Sequence, residues 1–177
     1  MKLVPDPSPA APEGLEQVRR FLNTLNRYHG YDELASPENA REALQRLEIL
    51  PAGAPLPARD LRRLRELRTA LRALKIPSEE AAATRIPDIP LHLRADGNAL
   101  VLAGTRDGLW GQAGALVAAV YSASLLGHWE RLKACANPGC QWFFYDTSRP
   151  RTGKWCSMTI CGAQHKSRSY RQRRAQP

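Results

Sequence analysis

Cys135-Ala-Asn-Pro-Gly-Cys140 and, fifteen residues further on, Cys156-Ser-Met-Thr-Ile-Cys161 hold all four cysteines of this 177-residue chain. Each pair sets two sulfurs close together at a short turn, Asn137-Pro138-Gly139 in the first, and the interval lets the second pair complete a tetrahedron. The pattern predicts one structural Zn2+ held by Cys135, Cys140, Cys156 and Cys161, with no position open for catalysis. Two disulfides in a secreted domain, or four unrelated core thiols, are the rival readings of the same spacing. His165, four residues past Cys161, could reach the metal from a helix, but four cysteines already complete the ligand set.

Charge gathers around the same stretch. The chain carries 26 Lys and Arg against 17 Asp and Glu, a net +9. Residues 1–130 are balanced at 16 against 16, whereas residues 131–177 hold ten bases against one acid. A tetrathiolate zinc centre would remove about two charges and leave the module near +7, dense enough to imply a polyanionic partner. Nucleic acid is favoured over an anionic membrane, because no apolar face accompanies the charge. Arg149, Arg151 and Lys154 before the second knuckle, and Lys166, Arg168, Arg171, Arg173 and Arg174 after it, are the candidate contacts. A helix beginning at about Ser157 or Cys161 and running to Arg174 would present the last five from a metal-anchored base.

Upstream, the periodicity is helical. Leu15, Val18, Leu22, Leu25 and Tyr28 predict a helix over residues 13–28, and Ser36-Pro37-Glu38 opens a second that runs to about residue 50. Leu61, Leu64, Leu67, Leu71 and Leu74 define a third over residues 58–75, whose arginines read as a solvated face. Pro77, Pro87 and Pro90 rule out a long helix in the next stretch. Leu91 to Leu102 around Asp96-Gly97 predicts a hairpin packed on the helices. Residues 107–126 form a largely apolar helix whose Gly111 and Gly114 imply close backbone packing. Asn23 and Thr24 read as hydrogen-bonded core or pocket groups, and His29, His92 and His128 as structural. Between the knuckles, Trp142-Phe-Phe-Tyr145 suggests a short hairpin whose inward aromatics build a miniature core on the metal. The fold class is therefore mainly α with a small β-hairpin: a disordered segment 1–12, a helical domain 13–128, and a four-cysteine α+β zinc module 129–177. The apolar stretch from Gly108 to Gly127 is broken by glycine, glutamine, tyrosine and serine, so it reads as a core helix and not a membrane span.

The run Cys135-x4-Cys140-x-Trp142-x-Phe144-x-Asp146-x-Ser148-Arg149, with Trp155-Cys156-Ser157-Met158-x2-Cys161-Gly162, resembles the CGNR zinc-finger family. Residues 15–128 resemble the ABATE domain that precedes this finger, through Phe21-Leu-Asn-Thr24, Asp32-x-Leu34 and Leu64-x2-Leu67-Arg68-x2-Leu71. The resemblance implies a bacterial, stress-induced transcriptional regulator with a zinc-bound DNA-binding module. The family's Cys-Gly-Asn-Arg reads Cys161-Gly162-Ala163-Gln164 here, so a contact made by that arginine does not carry over.

The expectation is a cytoplasmic regulator, not an enzyme, that binds duplex DNA through the module. Its helical domain would sense an unidentified small effector or form a homodimer. The alternative is a zinc-stapled RNA-binding or protein-interaction adaptor, with Trp155 or Tyr145 stacking on bases. No phosphate-cradling glycine loop, His-Glu zinc dyad or nucleophile elbow occurs in the sequence.

Overall fold

Helix α1 (Glu13–Leu22) buries Leu15, Val18, Phe21 and Leu22, as its apolar period requires. The computed structural model describes residues 8–76, 85–105 and 107–175. Residues 1–7 of the segment expected to be disordered lie outside these, as does Pro77. Residues 8–12 lie against α1: Ala11 is buried, its N–H donates to Glu16 at 2.9 Å, and Arg19 donates to Ser8 Oγ at 2.9 Å.

α1 ends short of the expected residue 28 because the side chains that follow it bond elsewhere. Thr24 Oγ1 donates to the Phe21 carbonyl at 2.7 Å, and Asn23 turns its amide away from the helix axis toward Phe143. The chain then forms strands β1 (Leu25–Asn26) and β2 (Tyr31–Asp32), which pair antiparallel across a turn closed by Gly30. α2 (Pro37–Arg46) starts as read, with Ser36 Oγ accepting from Asn39 N at 3.2 Å. It stops before residue 50: Glu48 adopts φ +59, and Ile49 and Leu50 both donate back to the Leu44 carbonyl. Leu47, Ile49 and Leu50 are thus buried by a tight helix exit instead of a further turn.

α3 (Ala58–Ala73) buries Leu61, Leu64, Leu67 and Leu71. Its arginines divide, against the expectation of a solvated face. Arg59 and Arg62 are in solvent, whereas Arg68 and Arg72 are buried because acceptors await them: Asp32 and Thr24 for the first, the Leu22 carbonyl for the second. Strands β3 (Leu91–Asp96) and β4 (Ala99–Gly104) pair from Leu91↔Gly104 to Asp96↔Ala99, so the turn residues are Gly97 and Asn98, with Gly97 at φ +59. α4 (Gly108–Leu125) packs on β4 and α1. A Cβ on Gly114 would lie 2.6 Å from Gly104 Cα, and one on Gly104 would lie 2.6 Å from the Gly111 carbonyl oxygen, which explains these glycines as close packing.

The second half of the chain enters the same core. β5 (Leu132–Ala134) pairs with β6 (Phe143–Tyr145), so the hairpin encloses the first knuckle instead of lying between the knuckles as expected. Period-two alternation sends Phe143 and Tyr145 into the core formed by the helices and leaves Trp142 packed on the cysteines. Asn23 binds both the N–H of Phe143 at 2.8 Å and its carbonyl at 2.9 Å, acting as a one-residue strand on the free edge of β6. A π-helical turn (Met158–Gly162) then leads into α5 (Ala163–Ala175), matching the helix read from Ser157 onward. Among the described residues no helix is long and apolar enough to cross a membrane.

Candidate metal centre and basic surface

The two knuckles bring four sulfurs together. In the first, Cys140 N and Gln141 N both donate to the Asn137 carbonyl, while Gly139 N donates to Asn137 Oδ1 at 3.2 Å. Cys135 N donates to the Trp142 carbonyl at 2.8 Å, tying the knuckle to its hairpin. In the second, Ser157 Oγ accepts from Ile160 N at 3.2 Å and starts the π turn that aims Cys161 inward.

The Sγ atoms of Cys135, Cys140, Cys156 and Cys161 all lie within 4.8 Å of one another; Cys140 to Cys156 is 3.7 Å and Cys156 to Cys161 is 4.0 Å. Zinc–sulfur bonds of about 2.3 Å give a tetrahedron with edges of about 3.8 Å, so the cage has the size of a tetrathiolate zinc site. Sulfurs this far apart are not disulfide-bonded, and all four cysteines are free. The Cys135 thiol is pulled down, chiefly by a hydrogen bond from Cys140 and then from Cys156, while the bond to Cys135 pushes both of those partners up. Thiolates this close together repel one another, and a cation among them relieves that repulsion. His165 takes no part, its ring lying 4.8 Å from that of Trp155.

Around the sulfurs lies a polar shell that spacing alone does not reveal. Asn137, 5% exposed, directs Nδ2 to Cys161 Sγ at 3.5 Å and to Gln164 Oε1 at 3.1 Å. Gln164 Nε2 then donates to the Tyr28 hydroxyl at 2.9 Å, and Arg27 donates to Gln141 Oε1 at 3.0 Å. The turn between β1 and β2 therefore grips the zinc module at two points. Gln164, standing where the family has arginine, is the centre of one of them. Asn137 and Gly139 offered the only sequence signal, as turn residues; Tyr28 was hidden by the helical period it seemed to complete.

The ten bases of residues 131–177 fall into two groups. Arg131 and Lys133 are used internally. Arg131 donates to the carbonyls of Asp146 and Ser148, and Lys133 pairs with Asp146 at 2.7 Å while also donating to the carbonyls of Arg151 and Gly153. Asp146 also accepts from the N–H groups of Ser148 and Gly153; burial opposes its ionisation, but Lys133 and these donors outweigh it and hold the carboxyl well below its usual range. A Cβ on Gly153 would come within 2.9 Å of that carboxylate, so the loop closes only around glycine. The other eight, Arg149, Arg151, Lys154, Lys166, Arg168, Arg171, Arg173 and Arg174, are all exposed, and none has an acidic partner among the described residues. Arg149, Arg151 and Lys154 stand on the loop stapled by Asp146. Arg168 and Arg171 share a shallow groove with Thr159, Ile160, Ala163 and Ser167, while Lys166 and Arg173 lie on the other side of α5.

No curated protein sequence matches the chain. Residues 131–174 match the family model of the CGNR zinc finger, and residues 16–128 match the ABATE model, described as "Putative stress-induced transcription regulator". With most of its length under the second model and its four-cysteine cage under the first, the chain belongs to the ABATE family and carries a CGNR zinc finger behind that domain.

Proposed function

We propose that the protein is a transcriptional regulator that binds duplex DNA through its zinc module. One structural Zn2+ on Cys135, Cys140, Cys156 and Cys161 orders the basic loop and α5, and the helical domain senses a ligand or dimerises. The carrying observation is the set of eight exposed cations without acidic partners among the described residues. Elsewhere in the chain comparable arginines are consumed, as in Arg46 with Glu33 and Arg68 with Asp32. Unneutralised cations held close together repel one another, and phosphates relieve that repulsion while releasing counterions. No catalysis forms part of this reading, and a reducing cytoplasm suits the free thiols.

Dimerisation of the helical domain draws support from Leu93 and Leu100 on the β3–β4 hairpin and Leu125 and Leu126 at the end of α4, each at least 65% exposed. The RNA-adaptor alternative needs aromatic platforms. Tyr145 is 7% exposed in the core, with its hydroxyl 3.0 Å from His128 Nδ1, and Trp155 is stacked on His165. Both rings are occupied, which favours a duplex.

The test is the affinity of the zinc-loaded protein for duplex and single-stranded DNA at several salt concentrations. With seven to eight phosphate contacts the slope of log K against log salt approaches about −6 to −7 on duplex DNA. Replacing Arg168, Arg171, Arg173 and Arg174 by Ala flattens it by about three to four. A preference for single strands, or a slope that the four replacements leave unchanged, refutes the reading.

A further inference from the structure

Beyond His165, every α5 side chain through Arg174 except that of Ser169 is exposed, so the helix leaves the protein body as a free rod. At ~1.5 Å per residue, residues 166–174 project over about 13 Å. A helix with its side chains is about 10–12 Å across, close to the ~12 Å width of the B-form major groove and too wide for the A-form one.

The rod is not uniformly basic. Ile160 is 47% exposed and shares its groove with Ala163, Ser167 and Arg171. At about 100° per residue Ala163, Ser167, Arg171 and Arg174 occupy one sector, joined in the groove by Ile160 from the π turn, with Arg168 about 100° to one side and Lys166 and Arg173 about as far to the other. A helix seated in a major groove meets base edges along its centre line and a phosphate wall on each flank. A centre that is small and apolar near the cysteines and arginine toward its outer end, between cationic flanks, matches that division. Arg171 Nε donates weakly to the Ser167 carbonyl at 3.4 Å, which lays the guanidinium along the sector.

Resting on the duplex-binding function above, we infer that α5 is a sequence-reading helix. Ile160, Ala163 and Ser167 approach the base edges, Arg171 reads a guanine, and Arg168, Lys166 and Arg173 hold the two backbones. Arginine is the side chain that meets guanine O6 and N7 bidentately, and apolar side chains meet the thymine methyl, so the site contains both bases within a few base pairs.

The experiment is selection from a random duplex pool with the zinc-loaded full chain, repeated for Arg171→Lys, Ile160→Ala and Arg168→Ala. Wild type is expected to enrich a short site. Arg171→Lys keeps the charge and the salt slope but loses about 5- to 150-fold of preference at one base pair, and Ile160→Ala relaxes a neighbouring one. Arg168→Ala weakens all sequences alike and reduces the slope by about one. Enrichment of no site, or an Arg171→Lys profile identical to wild type, overturns the inference while leaving duplex binding intact. Failure of wild type to bind duplex DNA overturns both.

Discussion

Arg68 and Arg72 on α3 lie one turn apart, as do Arg168 and Arg171 on α5, yet the first two are 3% and 6% exposed and the second two stand in solvent. The difference lies in the acceptors each helix meets. Around α3 the chain returns with Asp32, Thr24 and the carbonyls of Leu22 and Gln141, so the guanidinium groups become internal struts. Arg72 also lies 4.9 Å from the ring centre of Phe143, and its burial, with Arg68 and Arg27 nearby, lowers its pKa to about 10. Around α5 no acid folds back among the described residues, and the helix is held at its first turn by Cys161, Gln164 and the contact of His165 with Trp155. One region uses its arginines in its own architecture; the other leaves them in solvent beside the four-cysteine cage.

The hardest test of that contrast is removal of the metal. Structural zinc contributes an apparent ~10–16 kcal/mol to small modules of this kind. Chelation, or Cys161→Ser, is expected to abolish the helicity of α5 and the hydrogen-exchange protection of residues 156–175. The amides of α3 and of β6, seated in the leucine core, stay protected. Loss of protection in both regions together would mean that the helical core depends on the metal as well, and the contrast would fail.

Phe143 tests the seam between the regions. It is fully buried among leucines from the helices although it belongs to the segment between the two cysteine pairs. Phe143→Ala is expected to destabilise the whole protein by about 4 kcal/mol. A urea melt in which only the C-terminal module weakens would show that the two regions carry separate cores.

The comparison also explains what could be read from sequence. The cysteine cage, the Ser36 cap and the leucine stripe of α3 are patterns of spacing within a short stretch of chain. What escaped was settled at long range. The end of α1 was hidden because Leu25 and Tyr28 continue its apolar period, while Asn23 bonds Phe143, 120 positions away. The split of the α3 arginines depended on Asp32 folding beneath Arg68. β6 pairs with β5 in place of the hairpin expected between the knuckles, because Asp146, next after β6, is engaged with Lys133, Ser148 and Gly153 in building the basic loop.

Arg68→Ala follows in size. It leaves the Asp32 carboxylate facing a buried gap without its bidentate partner, an expected loss of about 3 kcal/mol at neutral pH. The pH dependence has a definite sign. Burial would raise the Asp32 pKa, but Arg68 and the Leu34 N–H hold it below its usual 3.8. A carboxyl lowered in the folded state adds stability above its unfolded pKa and loses it as the pH falls through the folded one. The gap between wild type and Arg68→Ala therefore narrows below about pH 3.8. A gap that is constant from pH 6 to pH 2.5 would assign the loss to packing alone.

The smallest effect concerns the place where the two regions touch by side chains alone. Gln164 accepts from Asn137, which bonds the Cys161 sulfur, and donates to Tyr28. Partners of metal ligands are typically worth 10- to 100-fold in metal affinity, and a single neutral hydrogen bond about 1 kcal/mol. Gln164→Ala is thus expected to weaken zinc binding by about tenfold in a competition with a chelator of known affinity. Tyr28→Phe, one bond further out, should weaken it by less. Gln164→Arg restores the family's residue but offers no acceptor to Asn137, so it should lose the zinc effect while still able to donate to Tyr28. Should Gln164→Arg bind zinc as tightly as wild type, the Asn137 bond is idle. The amide would then serve only to hold α5 against the turn between β1 and β2, and the double replacement with Tyr28→Phe would show all its coupling in stability and none in metal affinity.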